Sequence, residues 1–142
     1  MSDDPFIIRT RAAQATLDQW STRPMRLGTS DCVRMTASHL RRLGHKVKLP
    51  ASGSYRTIRS ALKALDERGY ASLADALDAM GLERIAPAAA IVGDVLALPA
   101  EDKLGALAVA LGNGRVVGYH SDAIGAAVLQ PIEYVAAWRA IS

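Results

Sequence analysis

The stretch Leu107-Ala-Val-Ala-Leu-Gly-Asn-Gly-Arg-Val-Val117 reads as strand, turn and strand. Apolar residues run almost unbroken from Leu104 to Leu111, the pattern of a strand buried on both faces and central in its sheet. Gly112-Asn113-Gly114 supplies the turn, because Asn and Gly adopt positive φ at little cost. A further strand is predicted from Arg115 to His120. Upstream, Gly93-Asp94 opens a shorter strand, Val95 to Leu98. Downstream, Ala126 to Gln130 gives another, ended by Pro131, and a last helical turn is expected around Tyr134 and Trp138. Residues 91–142 therefore read mainly as a β meander with a short C-terminal helical turn.

Residues 1–90 have a different rhythm. Phe6 to Trp20 is predicted helical, with Ile7, Ala13, Leu17 and Trp20 on one side. Ser30 and Asp31 offer N-cap chemistry for a helix reaching about Leu43, with Val33, Thr36, Ala37, Leu40 and Leu43 as its buried stripe. Gly44 fits just past its end. Thr57 to Arg68 repeats the pattern through Ile58, Ala61, Leu62 and Leu65, and Gly69 stops it. Ser72 to Asp75 resembles a capping box for a short helix ending near Met80-Gly81. Helices first and strands second predict one α+β domain over residues 1–142, with the helices packed on one face of a small antiparallel sheet.

The chain has 142 residues, half of them apolar, enough for one core. The longest apolar candidate for a membrane span, Ile85 to Leu98, is interrupted by Pro87, Gly93 and Asp94, so no span is expected. The acidic opening, Met1-Ser2-Asp3-Asp4-Pro5, does not read as a secretion signal. A single cysteine allows no intrachain disulfide and fits synthesis in a reducing bacterial cytoplasm. Charge is uneven: residues 1–68 hold 13 Lys+Arg against 6 Asp+Glu, and residues 69–142 hold 4 against 8. The basic half suits an anionic partner or simply solvated helix faces. Its densest cluster, Arg41, Arg42, Lys46 and Lys48, has no interleaved aromatics, so nucleic acid is not the expected partner. The histidines and the cysteine show no ligand spacing, and Gly112-Asn113-Gly114 joins strands instead of opening a helix, so neither a metal nor a cofactor is expected.

Cys32 is the residue through which chemistry would run. A helix N-terminus lowers a thiol's pKa and favours the nucleophilic thiolate. The neighbouring Asp31 carboxylate opposes that shift unless backbone N–H groups engage its charge. A lone cysteine is equally at home as a small buried residue.

Gly28-Thr29-Ser30-Asp31-Cys32-Val33 opening a helix, Gly93-Asp94-Val95 opening a strand, and the strand pair across Gly112-Asn113-Gly114 together resemble the NlpC-type, papain-like cysteine peptidases. The resemblance covers roughly Gly28 to Gln130. It extends to a phage and prophage tail-associated subgroup through Gly28 to Cys32, Tyr55-Arg56-Thr57, Gly93-Asp94-Val95 and Ala137-Trp138-Arg139. It implies a Cys at a helix start facing a His on the second strand and a polar group on the next. Here those two positions fall on Ala106 and Gly118, neither of which can take a proton, so the base looks replaced. His39 lies seven residues, about 10 Å, along the helix from Cys32, and His45 lies further. His120 is the remaining candidate base. Asp31, Tyr55, Arg56 and Asp94 are expected to line the cleft, although Asp94 also suits a turn cap. The resemblance implies a tail-tip component whose fold is peptidase-like and whose role is structural, with other tail proteins as partners. An active version would be a peptidoglycan peptidase using Cys32 and His120. A third reading is an anionic-partner module.

Overall fold

The computed structural model describes residues 4–120 and 124–141; the N-terminal reading of Met1 to Asp3 lies outside them. Among the described residues the order is α1 (Pro5–Trp20), α2 (Cys32–Arg42), α3 (Ile58–Glu67), α4 (Leu73–Ala79) and β1 (Glu83–Ile85). A 3-10 turn (Pro87–Ala89) follows, then β2 (Val95–Leu98), β3 (Ala106–Gly112), β4 (Arg115–Gly118), β5 (Ala127–Leu129) and β6 (Ala136–Arg139). The six strands form one antiparallel sheet in the order β1-β6-β2-β3-β4-β5. The α+β class holds, with helices grouped ahead of the meander.

The helix starts follow the capping logic of the sequence. Asp31 accepts from the Arg34 N–H at 2.8 Å, Thr57 and Ser60 make a reciprocal capping box, and Ser72 accepts from the Asp75 N–H. The turn also behaves as expected, with Asn113 at φ 56°. The last segment does not. Tyr134 to Trp138 was expected to be helical, but Ala136 to Arg139 is β6, paired with both β1 and β2. Trp138 is fully buried there, and its indole N–H donates to Asp78 Oδ1 at 2.9 Å. Arg84 of β1 stacks on the same ring and pairs with Asp78. Burial of the ring and pairing on two sides override a weak local helical pattern.

Side chains alternate across the sheet. Val95, Leu107, Val109, Val117 and Trp138 face the helices. Leu96, Ala108, Ala110, Val116 and Ala137 form the opposite, outer layer. Helix α2 lies centrally on the inner face and buries Cys32, Met35, Thr36, Ala37, His39 and Leu40. The buried side of α1 is Arg9, Ala12, Ala13, Thr16 and Trp20, while Ile7, expected inside, is exposed.

Arg9 and Thr16 are inside because each has a polar partner. Arg9 Nη1 lies 2.7 Å from Asp94 Oδ1, and both residues are buried. Asp94 also takes Arg139 Nη1 at 3.3 Å and accepts from the Ile91 and Ala140 N–H groups. One carboxylate thus ties α1, the turn before β2 and the end of β6. Gly93 is needed beside it: its φ is 89°, and a Cβ there would sit 3.1 Å from Arg9 Cβ. The Gly93 carbonyl accepts from His39 Nε2 at 2.7 Å, so the other ring nitrogen, Nδ1, accepts from Thr16 Oγ1 at 3.0 Å. Burial of the ring lowers the His39 pKa, opposed by its contact with the Gly93 carbonyl.

Two outcomes follow. Asp94→Ala strands Arg9 as a buried, unpaired cation and should cost about 3–5 kcal/mol in a urea unfolding curve. Because His39 is held neutral in the fold, the unfolded chain binds more protons in mild acid, so stability should fall as pH drops below about 6.5. His39→Gln should flatten that slope; an unchanged slope would show that another group causes it.

Candidate functional site

The loop that delivers Cys32 is built around one carboxylate. Asp31 is fully buried. Its Oδ1 caps α2 through the Arg34 N–H, and its Oδ2 accepts from the Gly28 N–H at 2.8 Å and the Tyr55 hydroxyl at 2.9 Å. A tight turn from Arg26 to Ser30 closes the loop through an isolated bridge. Gly28 has φ 94°, and a Cβ there would lie 1.9 Å from the Tyr55 carbonyl oxygen. Only glycine permits that approach. Arg34 sits over the Tyr55 ring at 5.5 Å and donates to the Pro50 carbonyl at 2.7 Å. The Gly-x-x-Asp-Cys and Tyr-Arg-Thr segments are therefore halves of one joint. Burial, and then the Asp31 carboxylate, raise the Tyr55 phenol's pKa.

Cys32 begins α2, and its side chain joins the core with Leu107 and Trp138 among its cluster. Burial pushes its thiol up to about 11, and Asp31 and Asp102 act in the same direction. The backbone of Leu107 and its own N–H pull the other way and lose. At neutral pH the group is a protonated thiol. Tyr119 stands nearby, packed against the same core. Its phenol is pushed up to about 12 by burial first and by Asp31 next, with Cys32 adding a smaller effect. Its hydroxyl donates to the Arg23 carbonyl at 3.2 Å.

The strand alternation decides which side chains face the thiol. Ala106 shares the phase of Ala108 and Ala110, which belong to the outer layer, so the β3 side chain on the thiol's face is Leu107. Gly118 also faces outward, where a Cβ would meet Ala108 and Leu129. The β4-side group that reaches the thiol's surroundings is Tyr119, which the sequence reading passed over. Its signal was its odd phase relative to Gly118.

Of the residues expected to line one cleft, Asp31 and Tyr55 do meet beside Cys32. Arg56 is exposed, and its backbone N–H donates to Ser60 Oγ. Asp94 hydrogen-bonds at the level of Ala110, three residues along β3 from Leu107 and so about 10 Å away at 3.3 Å per residue. It is a clamp for α1 and β6, not a cleft wall. His120 is exposed and lines a groove with Leu98, Leu129 and Glu133. Leu98 and Leu129 pack with the outer layer, so the fold does not bring His120 to the thiol. His39 serves Thr16 and Gly93, and the His45 ring bonds the Ala140 carbonyl. Among the described residues no group of three or more His, Cys, Asp or Glu could hold a metal ion, and no helix is long and apolar enough to cross a membrane.

A helix-borne cysteine set against the inner face of an antiparallel sheet defines an NlpC-like fold. The solved structure of NlpC2 from Trichomonas vaginalis superposes with a TM-score of 0.58 at 14% identity, covering 98% of this chain and 49% of that one. This chain therefore spans about half the length of that structure. The chain belongs to the family described as domain of unknown function DUF6950, whose model matches residues 8–140. No curated protein matches it.

A buried thiol of high pKa should alkylate slowly. In native buffer near neutral pH, Cys32 should react with iodoacetamide at least tenfold more slowly than in the urea-unfolded chain. An equal or faster native rate would mean the thiol is open and activated.

Proposed function

We propose that the chain is a catalytically silent NlpC-like domain serving as a structural or assembly component, and that its setting is a phage or prophage tail tip. The observation that carries the first part is the place of the Cys32 thiol, buried in the core cluster with Leu107 of β3. Nucleophilic attack by a thiol needs a base within hydrogen-bonding reach, about 2.6–3.2 Å. A leucine side chain accepts no proton, which supports reading the expected histidine as replaced.

The motifs support the same reading. Asp31, Tyr55 and Gly28 are engaged in holding a loop, and Asp94 and Arg139 in holding the sheet's end to α1. These are the residues through which the sequence resembles the tail-associated subgroup. Read this way, what they preserve is a rigid scaffold. The tail setting rests on that resemblance, with other tail proteins as partners.

The activity half is tested by incubating the protein with defined muropeptides and following the products by mass spectrometry. No cleavage is expected from the wild type or from Cys32→Ala. Cleavage by the wild type that Cys32→Ala abolishes would overturn silence and favour a peptidoglycan peptidase. The setting is tested by immunoblotting purified virions or tails. The chain should co-sediment with assembled tails, and its absence from them would overturn the tail role.

A further inference from the structure

A second feature has Tyr55 and Leu107 in its lining. Helices α2, α3 and α4 do not close on one another, and a cavity of about 560 Å³ lies between them. That volume is in the range of small-molecule sites, about 300–1,000 Å³. Its lining is mostly aliphatic, with Leu40, Leu73, Leu77 and Leu107 buried in its wall and Tyr55, Tyr70 and Met80 completing it. The charged residues in the lining are Lys46, Lys48 and Arg68, all exposed, and no carboxylate joins them. None of the three is in an ion pair among the described residues.

The segment from Lys46 to Leu49 explains the arrangement. It carries no helix or strand, and exposure alternates along it: Lys46 and Lys48 are exposed, while Val47 and Leu49 are half-buried. Arg41 holds the Val47 carbonyl and Arg34 the Pro50 carbonyl, at 2.6 and 2.7 Å. A tethered strap thus presents apolar side chains to the cavity and cations to its mouth.

We propose that this cavity binds an anionic amphiphile, a long-chain fatty carboxylate, with its chain among the leucines and its head paired with Lys46, Lys48 and Arg68. Aliphatic walls select a chain over a ring system rich in polar atoms, and three cations with no opposing carboxylate select a negative head. This also gives the basic first half of the chain a specific partner class. The site makes no use of the Cys32 sulfur and stands whether or not the thiol is silent.

Calorimetric titration with octanoate, decanoate and dodecanoate, each below its micellar concentration, tests it. Saturable 1:1 binding is expected, tightening about threefold to fourfold per added methylene. Dodecyltrimethylammonium, with the same chain and a cationic head, should bind at least tenfold more weakly. Lys46→Glu combined with Lys48→Glu should weaken dodecanoate about tenfold, and Ala64→Trp, which fills the cavity from α3, should abolish binding while a circular-dichroism melt stays cooperative. Absence of saturable binding, equal binding of the two head groups, or no dependence on chain length would each overturn the proposal using the wild type alone. Sedimentation with phosphatidylglycerol vesicles that Ala64→Trp leaves intact and dodecanoate does not compete would also overturn it, by assigning the cations to a membrane surface.

Discussion

The buried Asp94 carboxylate is the constraint on which the rest of the domain depends. It receives two guanidinium groups, from α1 and β6, and two backbone N–H groups, from Ile91 and Ala140. A charge removed from water is tolerated only when its lone pairs are met this fully. Satisfying them fixes where the first helix crosses the sheet and where the last strand ends. That in turn sets α2 beneath α1 through the His39, Thr16 and Gly93 chain. With α2 fixed, the direction in which Cys32 faces is fixed as well.

Asp31 repeats the device at the other end of α2. Its carboxylate caps the helix and holds the Gly28 and Tyr55 segments of one joint. The two acidic residues thus frame the cysteine helix. The thiol between them is left in an apolar setting where burial outweighs the field of the helix terminus. The two caps leave the sulfur of Cys32 inside the core cluster that holds Leu107 and Trp138.

Much of the fold was legible. Caps at Asp31, Thr57 and Ser72 and the turn at Asn113 are local signals, and local signals survive in the tertiary structure. Strand β6 was not legible, because Ala136 to Arg139 owes its conformation to pairing with β1 and β2 and to burial of Trp138. Arg9 and Thr16 escaped a stripe built on apolar spacing, since their burial depends on partners more than twenty residues away. That Cys32, Asp31 and Tyr55 lie together was legible from motif and position. Which face each residue of β3 and β4 takes could not be read from apolar runs alone, because one residue of slip exchanges the two faces of a strand. In the fold Ala106 and Gly118 face the outer layer, Leu107 and Tyr119 the helices, and His120 lines the outer groove.

The state of the thiol decides between a scaffold and an enzyme, and it can be read directly. The ultraviolet absorbance of the thiolate, followed with pH as the difference between wild type and Cys32→Ser, gives the midpoint for Cys32 in the folded protein. A midpoint near pH 11 is expected from a sulfur buried in the cluster with Leu107, with the charges of Asp31 and Asp102 acting in the same direction. A midpoint below about 7, in the range of activated cysteines, would contradict it.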